Sequence, residues 1–420
     1  MTAISPAARY VVLTAMRWFP VGLVIPVMVL LMQARGLDVA SIGLLMAVYG
    51  IVTASLELPT GGLADVFSRR AVLAASSLVG AAGSLLLGLS TSHAGLALAM
   101  VLLGAARALG SGPLEAWYVD AVRRDDAAAN IGSGISRAQA AEAIGLGVGA
   151  IVGGIVPSVA TALWPGLSTS TSVIALSIPF LLSALMLVLH ALAVTLLVDA
   201  NAAARDVPSE DRASVFGTVV VGVRLAGRHP GLRRLLAYAA LLGMLLSGVE
   251  LIAPGTFAGL LGGESRGSAA YGLLVSAGFG ASALGAMLSP AIARRFASVP
   301  SAAAALTVLA AAGVLAIGVP ILGVAGCAYV LLYLLIGVTG PMLAELIHDR
   351  VGSSERSTML SIESLVLQLG GAVSAILVGG LVSRAGLLAG YATLAAVLVV
   401  AAVVVRRVPV ERGSAPSRVA

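Results

Sequence analysis

Twelve long apolar runs constrain this chain more than any other feature of its sequence. They lie near residues 10–33, 40–63, 71–91, 95–119, 136–158, 174–198, 233–254, 268–289, 300–318, 321–345, 358–382 and 387–407. A helix of about 20 apolar residues crosses the hydrocarbon core of a bilayer. The runs consist mainly of Leu, Val, Ala and Gly without polar alternation, which favours helices over a transmembrane barrel. The sequence therefore predicts an all-α membrane protein with twelve transmembrane helices.

The composition excludes a soluble protein and a nucleic-acid binder. Hydrophobic residues make up 59% of the chain and charged residues 10%, whereas soluble domains have about 45–50% and about 25%. The net charge is +6, but the arginines are distributed among the loops. With both termini in the cytoplasm, twenty arginines lie in inside segments, and only Arg35, Arg266 and Arg384 lie outside. This bias predicts that topology, with the lipid bilayer as a partner and no nucleic acid.

The two halves of the chain resemble each other. Arg69-Arg70 recurs as Arg294-Arg295, and Gly153-Gly154 recurs as Gly379-Gly380, at separations of 225 and 226 residues. The connection between the halves contains an apolar stretch that fits a helix on the inner membrane surface. A duplicated six-helix unit is the arrangement expected of a transporter with its substrate site between two bundles. The predicted divisions are a bundle over 1–198, a cytoplasmic linker with an amphipathic helix over 199–232, a second bundle over 233–407 and a cytoplasmic tail over 408–420.

The connection between the second and third runs carries a recognisable motif. It reads Gly61-x-Leu63-Ala64-Asp65-x-x-x-Arg69-Arg70. This pattern resembles the cytoplasmic loop signature of the major facilitator superfamily, with Ser68 where that family usually has glycine. The resemblance implies two pseudo-symmetric six-helix bundles and a charge cluster that stabilises the outward-facing state. The residues of this predicted conformational latch are Gly61, Asp65, Arg69, Arg70 and Asp120.

The fifth run carries a stripe of glycines, which comprises Gly145, Gly149, Gly153 and Gly154. Glycines four residues apart lie on one face of a helix and let a second helix approach closely. The stripe also resembles the antiporter signature of the same superfamily, with Ala150 where proline is usual. Plain close packing and an exporter signature both remain open as interpretations.

Seven charged residues lie inside the predicted membrane helices, at least four residues from either end of a run. They are Arg17, Glu57, Arg107, Glu115, Glu142, Glu250 and Glu363. Each is costly in lipid unless it has a partner or a function. Ion pairing with the two arginines would explain two of the three first-half carboxylates, whereas the second-half carboxylates have no arginine in their own half. An unpaired carboxyl in a low-dielectric site can exchange a proton near neutral pH.

Several roles remain open for these residues. The seven are candidates for proton coupling or substrate binding, and a hydrogen bond to a hydroxyl or carbonyl is the alternative for each carboxylate. Glu142 shares a helix face with the glycine stripe, so an interface between the halves is another place for it. Arg107 lies thirteen residues before Asp120, about 20 Å deeper on a continuous helix. The resemblance associates an arginine on this helix with proton transfer, and an ion pair is the structural alternative.

The predicted function is secondary active transport. We find no nucleotide-binding loop, metal-ligand cluster or nucleophile–base pair in the sequence, and the single Cys327 excludes an intrachain disulfide. We therefore expect no cofactor, no metal and no enzymatic activity. The resemblance implies a bacterial inner-membrane exporter, driven by protons, for small amphipathic molecules such as drugs or antibiotics, and we expect a monomer. The alternatives are a proton-coupled importer of a small nutrient and a membrane sensor that does not transport.

Overall fold

The computed structural model describes residues 5–61, 67–125, 130–164, 170–199, 227, 229–352 and 356–409. Over these ranges the secondary structure is helical. The helices whose bounds are defined are α1 Pro6–Val24, α2 Met28–Ala34, α3 Val39–Gly61, α4 Arg69–Leu89, α5 His93–Leu109, α6 Pro113–Asp125, α7 Gly132–Leu163, α8 Ser170–Leu197, α9 Pro230–Leu261, α10 Glu264–Ala293, α11 Val299–Ile317, α12 Leu322–His348, α13 Arg356–Ala385 and α14 Leu387–Arg406.

These helices form twelve spans long and apolar enough to cross a membrane. Each predicted run corresponds to one span, so the predicted all-α membrane fold is confirmed. Consecutive spans run in opposite directions, which gives the molecule two ends. We call them the Asp38 end, where α2 ends and α3 begins, and the Arg69 end, where α1 and α4 begin.

Two of the spans are interrupted. The first consists of α1 and α2, which are separated by a turn that contains Pro26. The fourth consists of α5 and α6, which are separated by Gly110, Ser111 and Gly112. Gly112 has φ 89°, a left-handed conformation that glycine adopts without steric cost. The prediction of one continuous fourth helix is therefore wrong, because the chain turns between Arg107 and Asp120.

The helices pack as two equivalent groups of six. In the first half, α1 contacts α7 and α8, while α4 contacts α5 and α8 and α3 contacts α5. In the second half, α9 contacts α13 and α14, while α11 contacts α12 and α14 and α10 contacts α12. The two contact patterns are the same when α1 is matched to α9 and α7 to α13. This arrangement confirms two pseudo-symmetric six-helix bundles.

The halves meet at two small-residue crossings. In one, Gly43 of α3 lies against the backbone of Ala375 and Gly379 on α13. In the other, Gly272 of α10 lies against the backbone of Ala150 and Gly154 on α7. The separations 375 − 150 and 379 − 154 are both 225, so the contacts match Gly154, rather than Gly153, to Gly379. Close backbone approach at glycine is typical of helix pairs in membranes.

Hydrogen bonds extend both crossings toward the Asp38 end. Ser158 Oγ donates to the Ser265 carbonyl over 2.7 Å. Ser383 Oγ accepts from the Ala40 amide at 3.0 Å and donates to Asp38 at 3.2 Å. The halves are therefore joined at the Asp38 end.

The predicted linker and tail lie mostly outside the described residues. Of the linker, residues 200–226 and 228 are outside, including the predicted amphipathic helix, and α9 begins at Pro230 rather than at 233. Of the tail, residues 410–420 are outside. The cytoplasmic placement of both segments remains a prediction.

Candidate functional site

A polar cavity of about 200 Å³ lies inside the first half. Helices α1, α3, α5, α6 and α7 and the break in the fourth span form its wall. Five of the seven predicted charged residues are among its lining residues, which are Tyr10, Thr14, Arg17, Trp18, Glu57, Arg107, Gly110, Ser111, Gly112, Leu114, Glu115 and Glu142. The sequence predicted charges within the membrane, and the structure brings most of them to one cavity.

Arg107 lines the cavity from the last turn of α5. Its guanidinium carbon lies 4.9 Å from the centre of the Trp18 ring, which is a cation–π arrangement. It is also close enough to Glu142 and to Glu250 of α9 to interact electrostatically with both. The sequence predicted no arginine within the membrane in Glu250's own half, and the structure adds that Arg107 approaches Glu250 from the other half.

Arg17 lies beside the break in the fourth span. Its guanidinium occupies the space that a side chain at Gly110 would fill. Gly110 is the C-cap of α5 and donates its amide to the Ala106 carbonyl at 3.1 Å. The carbonyl end of a helix carries partial negative charge and interacts favourably with a cation. This contact gives Arg17 a favourable electrostatic environment within the span.

The sequence offered ion pairing as an explanation for two of the three first-half carboxylates, and among the described residues neither Glu115 nor Glu142 forms a contact ion pair. Among the described residues, no arginine nitrogen lies within 4.0 Å of either carboxylate. The Tyr10 hydroxyl lies beside Glu115, and Glu142 interacts with Arg17 and Arg107 only at longer range. The unlike charges in the cavity therefore leave room between them for water or for a polar guest.

Glu57 connects the two halves. Ser364 Oγ of α13 lies 3.0 Å from each of its carboxylate oxygens, and Ser111 Oγ lies 3.4 Å from one of them. Hydrogen bonding to hydroxyls was the alternative that the sequence left open for this carboxylate. Glu57 is the last residue of α3 whose side chain is described, so its contact with Ser364 lies toward the Arg69 end. Glu57 is thus a polar contact between the halves as well as a lining residue of the cavity.

The second-half carboxylates lie in different surroundings. Glu250 faces an aromatic cluster and interacts electrostatically with Tyr333 and Tyr271. The Tyr329 ring lies 4.9 Å from Tyr333 and 5.7 Å from Tyr271, measured between ring centres. Glu363 is half-buried on α13, has His348 as an electrostatic neighbour and is not among the cavity residues. Only Glu250 of this pair approaches the charges of the first half.

The predicted latch is described in part. Arg69, at the start of α4, forms an ion pair with Asp120 and donates to the Ala116 carbonyl at 2.8 Å. Asp65 lies outside the described residues, Gly61 is the last residue of α3, and Arg70 is half-buried at the start of α4. The described contact joins α4 to α6 within the first half. The latch function itself remains a prediction.

The glycine stripe packs mainly within the first half. Gly145 lies against Ala15 and Phe19 of α1, and Gly149 and Gly153 continue along the same helix. Only Gly154 faces α10 of the second half. Glu142 accordingly lies on the α1 side and lines the cavity rather than the interface. The stripe is accounted for by close packing in either direction of transport.

Sequence reasoning did not include Tyr10, Gly110, Ser111 or Ser364 among the site residues. The sequence Gly110-Ser111-Gly112-Pro113 is a turn signal, and it was a visible indication of the break. The hydroxyls carried no comparable signal, because their partners come from other helices.

Comparisons with known proteins agree with this architecture. The sequence matches the Major Facilitator Superfamily over residues 10–374, and no curated protein matches it. The structure is similar to that of the nucleoside transporter NupG, with a TM-score of 0.75, 14% identity and coverage of 96% of this chain and 98% of that one. It is also similar to a bacterial homolog of the human lysosomal transporter Spinster, with a TM-score of 0.71, 17% identity and coverage of 95% and 94%.

A third similar structure is that of a mutant of the peptide transporter POT, with a TM-score of 0.70, 14% identity and coverage of 95% and 93%. These identities show a shared fold, and the family match spans most of the chain. Two matched bundles, twelve spans and a polar cavity next to their interface are consistent with that match. The chain is a member of the major facilitator superfamily, a multi-pass membrane transporter.

Proposed function

We propose that this transporter exports small amphipathic molecules and couples export to proton entry. The observation that carries the proposal is the group formed by Arg17, Arg107, Glu142 and Glu250. It brings two guanidiniums and two carboxylates together within the spans, from both halves. Charges at that depth are costly and mark substrate or proton pathways by default.

Coupling follows from the placement of Glu250. Its interaction with Arg107 of the other half exists only while the halves hold these residues near each other. Protonation of Glu250 removes its charge and weakens that attraction, so the two protonation states favour different arrangements of the halves. A carboxylate at this position can therefore convert a proton gradient into conformational change.

The cavity suits an amphipathic guest. Trp18 and Leu114 offer apolar surface, while Ser111, Thr14 and the charged groups offer hydrogen bonds. Small-molecule sites usually combine apolar walls with a few polar groups that fix orientation. The exposed residues Ser111, Gly112 and Glu115 lie on the Arg69 side of Arg107, which the arginine distribution places in the cytoplasm of a bacterial inner membrane. Substrate entry from the cytoplasm is consistent with export.

Import driven by the same protons is the second candidate. It is favoured by Ala150, which stands where the exporter signature has proline, and by the packing role of the glycine stripe. Inverted membrane vesicles distinguish the two directions. On imposing an inside-acid gradient, an exporter accumulates an amphipathic dye such as ethidium in inverted vesicles. On imposing an outside-acid gradient, an importer accumulates its substrate in right-side-out vesicles. A panel of dyes and antibiotics that moved in neither preparation would contradict transport of this substrate class.

Carboxylate variants test the coupling. We expect Glu250→Gln to abolish proton-driven accumulation while substrate exchange without a gradient continues, because the amide cannot release a proton. Glu264→Gln is the matched control, since Glu264 lies in the first turn of α10 at the Asp38 end. Glu363→Gln should have the smaller effect, because Glu363 does not approach the cavity charges. Unchanged proton-driven flux in Glu250→Gln would refute the assignment of Glu250.

A further inference from the structure

The break in the fourth span places an empty side-chain position directly at a buried cation. An ideal Cβ at Gly110 would overlap both terminal nitrogens and the central carbon of the Arg17 guanidinium. Among the described glycines, Gly110 is the one whose side-chain space is filled by two terminal nitrogens and the central carbon of a guanidinium. The absence of a side chain at this position is therefore what admits the Arg17 head group.

The local backbone explains why a cation is stable there. Helix α5 ends at Leu109, and the Gly110 and Ser111 amides turn back to the Ala106 and Ala108 carbonyls at 3.1 and 3.2 Å. Ser76 Oγ also donates to the Ala106 carbonyl, at 2.8 Å. The carbonyl end of a helix carries partial negative charge even where its carbonyls accept hydrogen bonds, and a cation near it is favourable. The end of α5 thus offers Arg17 negative potential without a carboxylate in contact.

The position of Arg17 determines the surroundings of Glu142. Arg17 and Arg107 both interact with Glu142 electrostatically, yet neither contacts it within 4.0 Å among the described residues. Other titratable groups also face this region. Glu57 and Glu115 line the same cavity, and Glu250 of α9 faces Arg107. Tyr10 of α1 faces Glu142, and Tyr49 of α3 and His190 of α8 face Arg17. Helix α10 also packs on α7, but its charges Glu264 and Arg266 lie beside Ser158, about 24 Å along α7 from Glu142.

We propose that Gly110 is a positioning residue for proton exchange. By leaving its side-chain space open, it holds the Arg17 guanidinium at the end of α5 and keeps it out of direct contact with Glu142. Glu142 can then gain and release a proton instead of remaining in a contact ion pair. The inference rests on the proposed proton coupling for its biological meaning, but the geometry can be tested without transport.

Trp18 provides the readout. It contacts Arg107 inside the cavity, and the chain has only two other tryptophans, Trp117 and Trp164. In a Trp117→Phe, Trp164→Phe protein in nanodiscs, Trp18 fluorescence should change with pH as the cavity carboxylates titrate. Glu142→Gln identifies the part of the titration that belongs to Glu142. No substrate is needed, so a protein that does not couple transport to protons can still give a clear result.

Gly110→Ala is the decisive variant. The added methyl group meets the far end of a flexible side chain, so we expect the guanidinium to move toward Glu142 while the fold is retained. An opposite charge within about 4–6 Å lowers the pKa of a carboxyl group by about 1–3. The Glu142-dependent midpoint should therefore fall by about one unit or more, a tenfold or larger loss of proton affinity. Gly323→Ala, at an exposed glycine with open space around it, should leave the midpoint unchanged.

A double variant separates positioning from a general structural effect. In an Arg17→Gln background, Gly110→Ala should no longer shift the midpoint, because the charge that moves is gone. An equal shift in that background would overturn the proposal. If Gly110→Ala alone fails to fold, the double variant should fold, since the overlap is with Arg17; an unfolded double variant would also overturn it. Loss of coupled transport in the parent protein, with these shifts intact, would reject the proposed function alone.

Discussion

Glycine substitutions at the two crossings should shift the transporter between conformations without unfolding it. An ideal Cβ at Gly43 lies 3.0 Å from the Ala375 carbonyl carbon, and one at Gly272 lies 3.2 Å from the Ala150 carbonyl carbon. Ordinary carbon–carbon contacts are about 3.5–4.0 Å. Because the opposing atoms are backbone, the halves themselves must separate to admit a methyl group. Gly43→Ala and Gly272→Ala should each destabilise the arrangement that is closed at the Asp38 end.

The expected size follows from the cost of overpacking, about 1–3 kcal/mol. A free-energy difference of that size corresponds to about a 5–150-fold change in the ratio of two conformations. Each half keeps its own packing when the crossing opens, so the melting temperature should change little. Gly153→Ala gives the contrasting case, because its methyl group would meet the Leu23 backbone inside the first half. That variant should lower the melting temperature instead.

Distance measurements between spin labels provide the assay. Leu89 at the end of α4 and Leu388 at the start of α14 are 61% and 66% exposed, and they lie in different halves at the Asp38 end. Labels at these positions, in a Cys327→Ser background that removes the exposed native thiol, report opening. Gly43→Ala should transfer population from the short to a longer distance.

Gly380 of α13, the residue next to Gly379, is the matched control for this experiment. Gly380 has nothing within 4 Å of an added Cβ, whereas Gly379 beside it faces the crossing. Gly380→Ala raises helix propensity as much as the test variants do, by about 1 kcal/mol, without touching the other half. The reasoning is refuted if Gly380→Ala opens the Asp38 end as far as Gly43→Ala does, or if Gly43→Ala leaves the distances unchanged.

Two further contacts between the halves give predictions of their own. Hydrogen bonds from Ser41 and Ser383 hold the pKa of Asp38 below its usual value. The contact of the charged carboxylate is therefore complete above the ordinary aspartate pKa of about 3.9, and it is lost only as the pH falls through the lowered pKa. Label distances in the parent protein should be equal at pH 8 and pH 5, whereas Asp38→Ala should open the Asp38 end at both pH values. Ser364→Ala removes the donor to both Glu57 oxygens and should weaken the contact between α3 and α13 by roughly 1 kcal/mol. Spin labels at the Arg69 end should show this as about a fivefold change in the ratio of the open to the closed arrangement. Ser364→Thr, which keeps the hydroxyl, should leave the ratio unchanged.

The sequence predicted the spans because hydrophobic length is a local property. Each of the twelve runs became a span, and the helix ends moved by a few residues because apolar content does not define a cap. The break between α5 and α6 was not predicted, because hydrophobic content does not show where a helix is interrupted. Averaged over a window, Gly110 and Gly112 count as apolar, although their combination with Pro113 is a turn signal. The turn-forming residues therefore indicate the break, which hydrophobic content alone does not.

The contents of the cavity were predictable only as a set of residue types. Charges within membrane helices require partners or functions, so the sequence identified Arg17, Arg107 and the carboxylates. Which of them meet depends on how helices from distant parts of the chain are arranged. Arg107 approaches Glu250 across the interface, and Ser364 reaches Glu57 from a helix about 300 residues away. No local pattern contains that information.

The duplicated unit retains its packing but not its charges. Gly145 lies on Ala15 in the first half, and Gly370 lies on Ala240 in the second; 370 − 145 and 240 − 15 are both 225. At the same separation, the counterparts of Arg17 and Glu142 are Leu242 and Leu367. Leu242 lines an apolar pocket of about 10 Å³, against about 200 Å³ for the polar cavity of the first half.

This asymmetry gives the halves different tasks in our proposal. Both halves keep the glycine contacts inside each bundle, and both keep small residues at the crossings where the halves close against each other. The guanidiniums and most carboxylates are confined to the first half, where they surround an open cavity, while the second half contributes Glu250 beside an aromatic cluster. Protonation then changes the attraction between a charged half and a single acidic group of its partner. A symmetric set of charges would place like groups opposite each other across the interface, and that repulsion would oppose the closed arrangement.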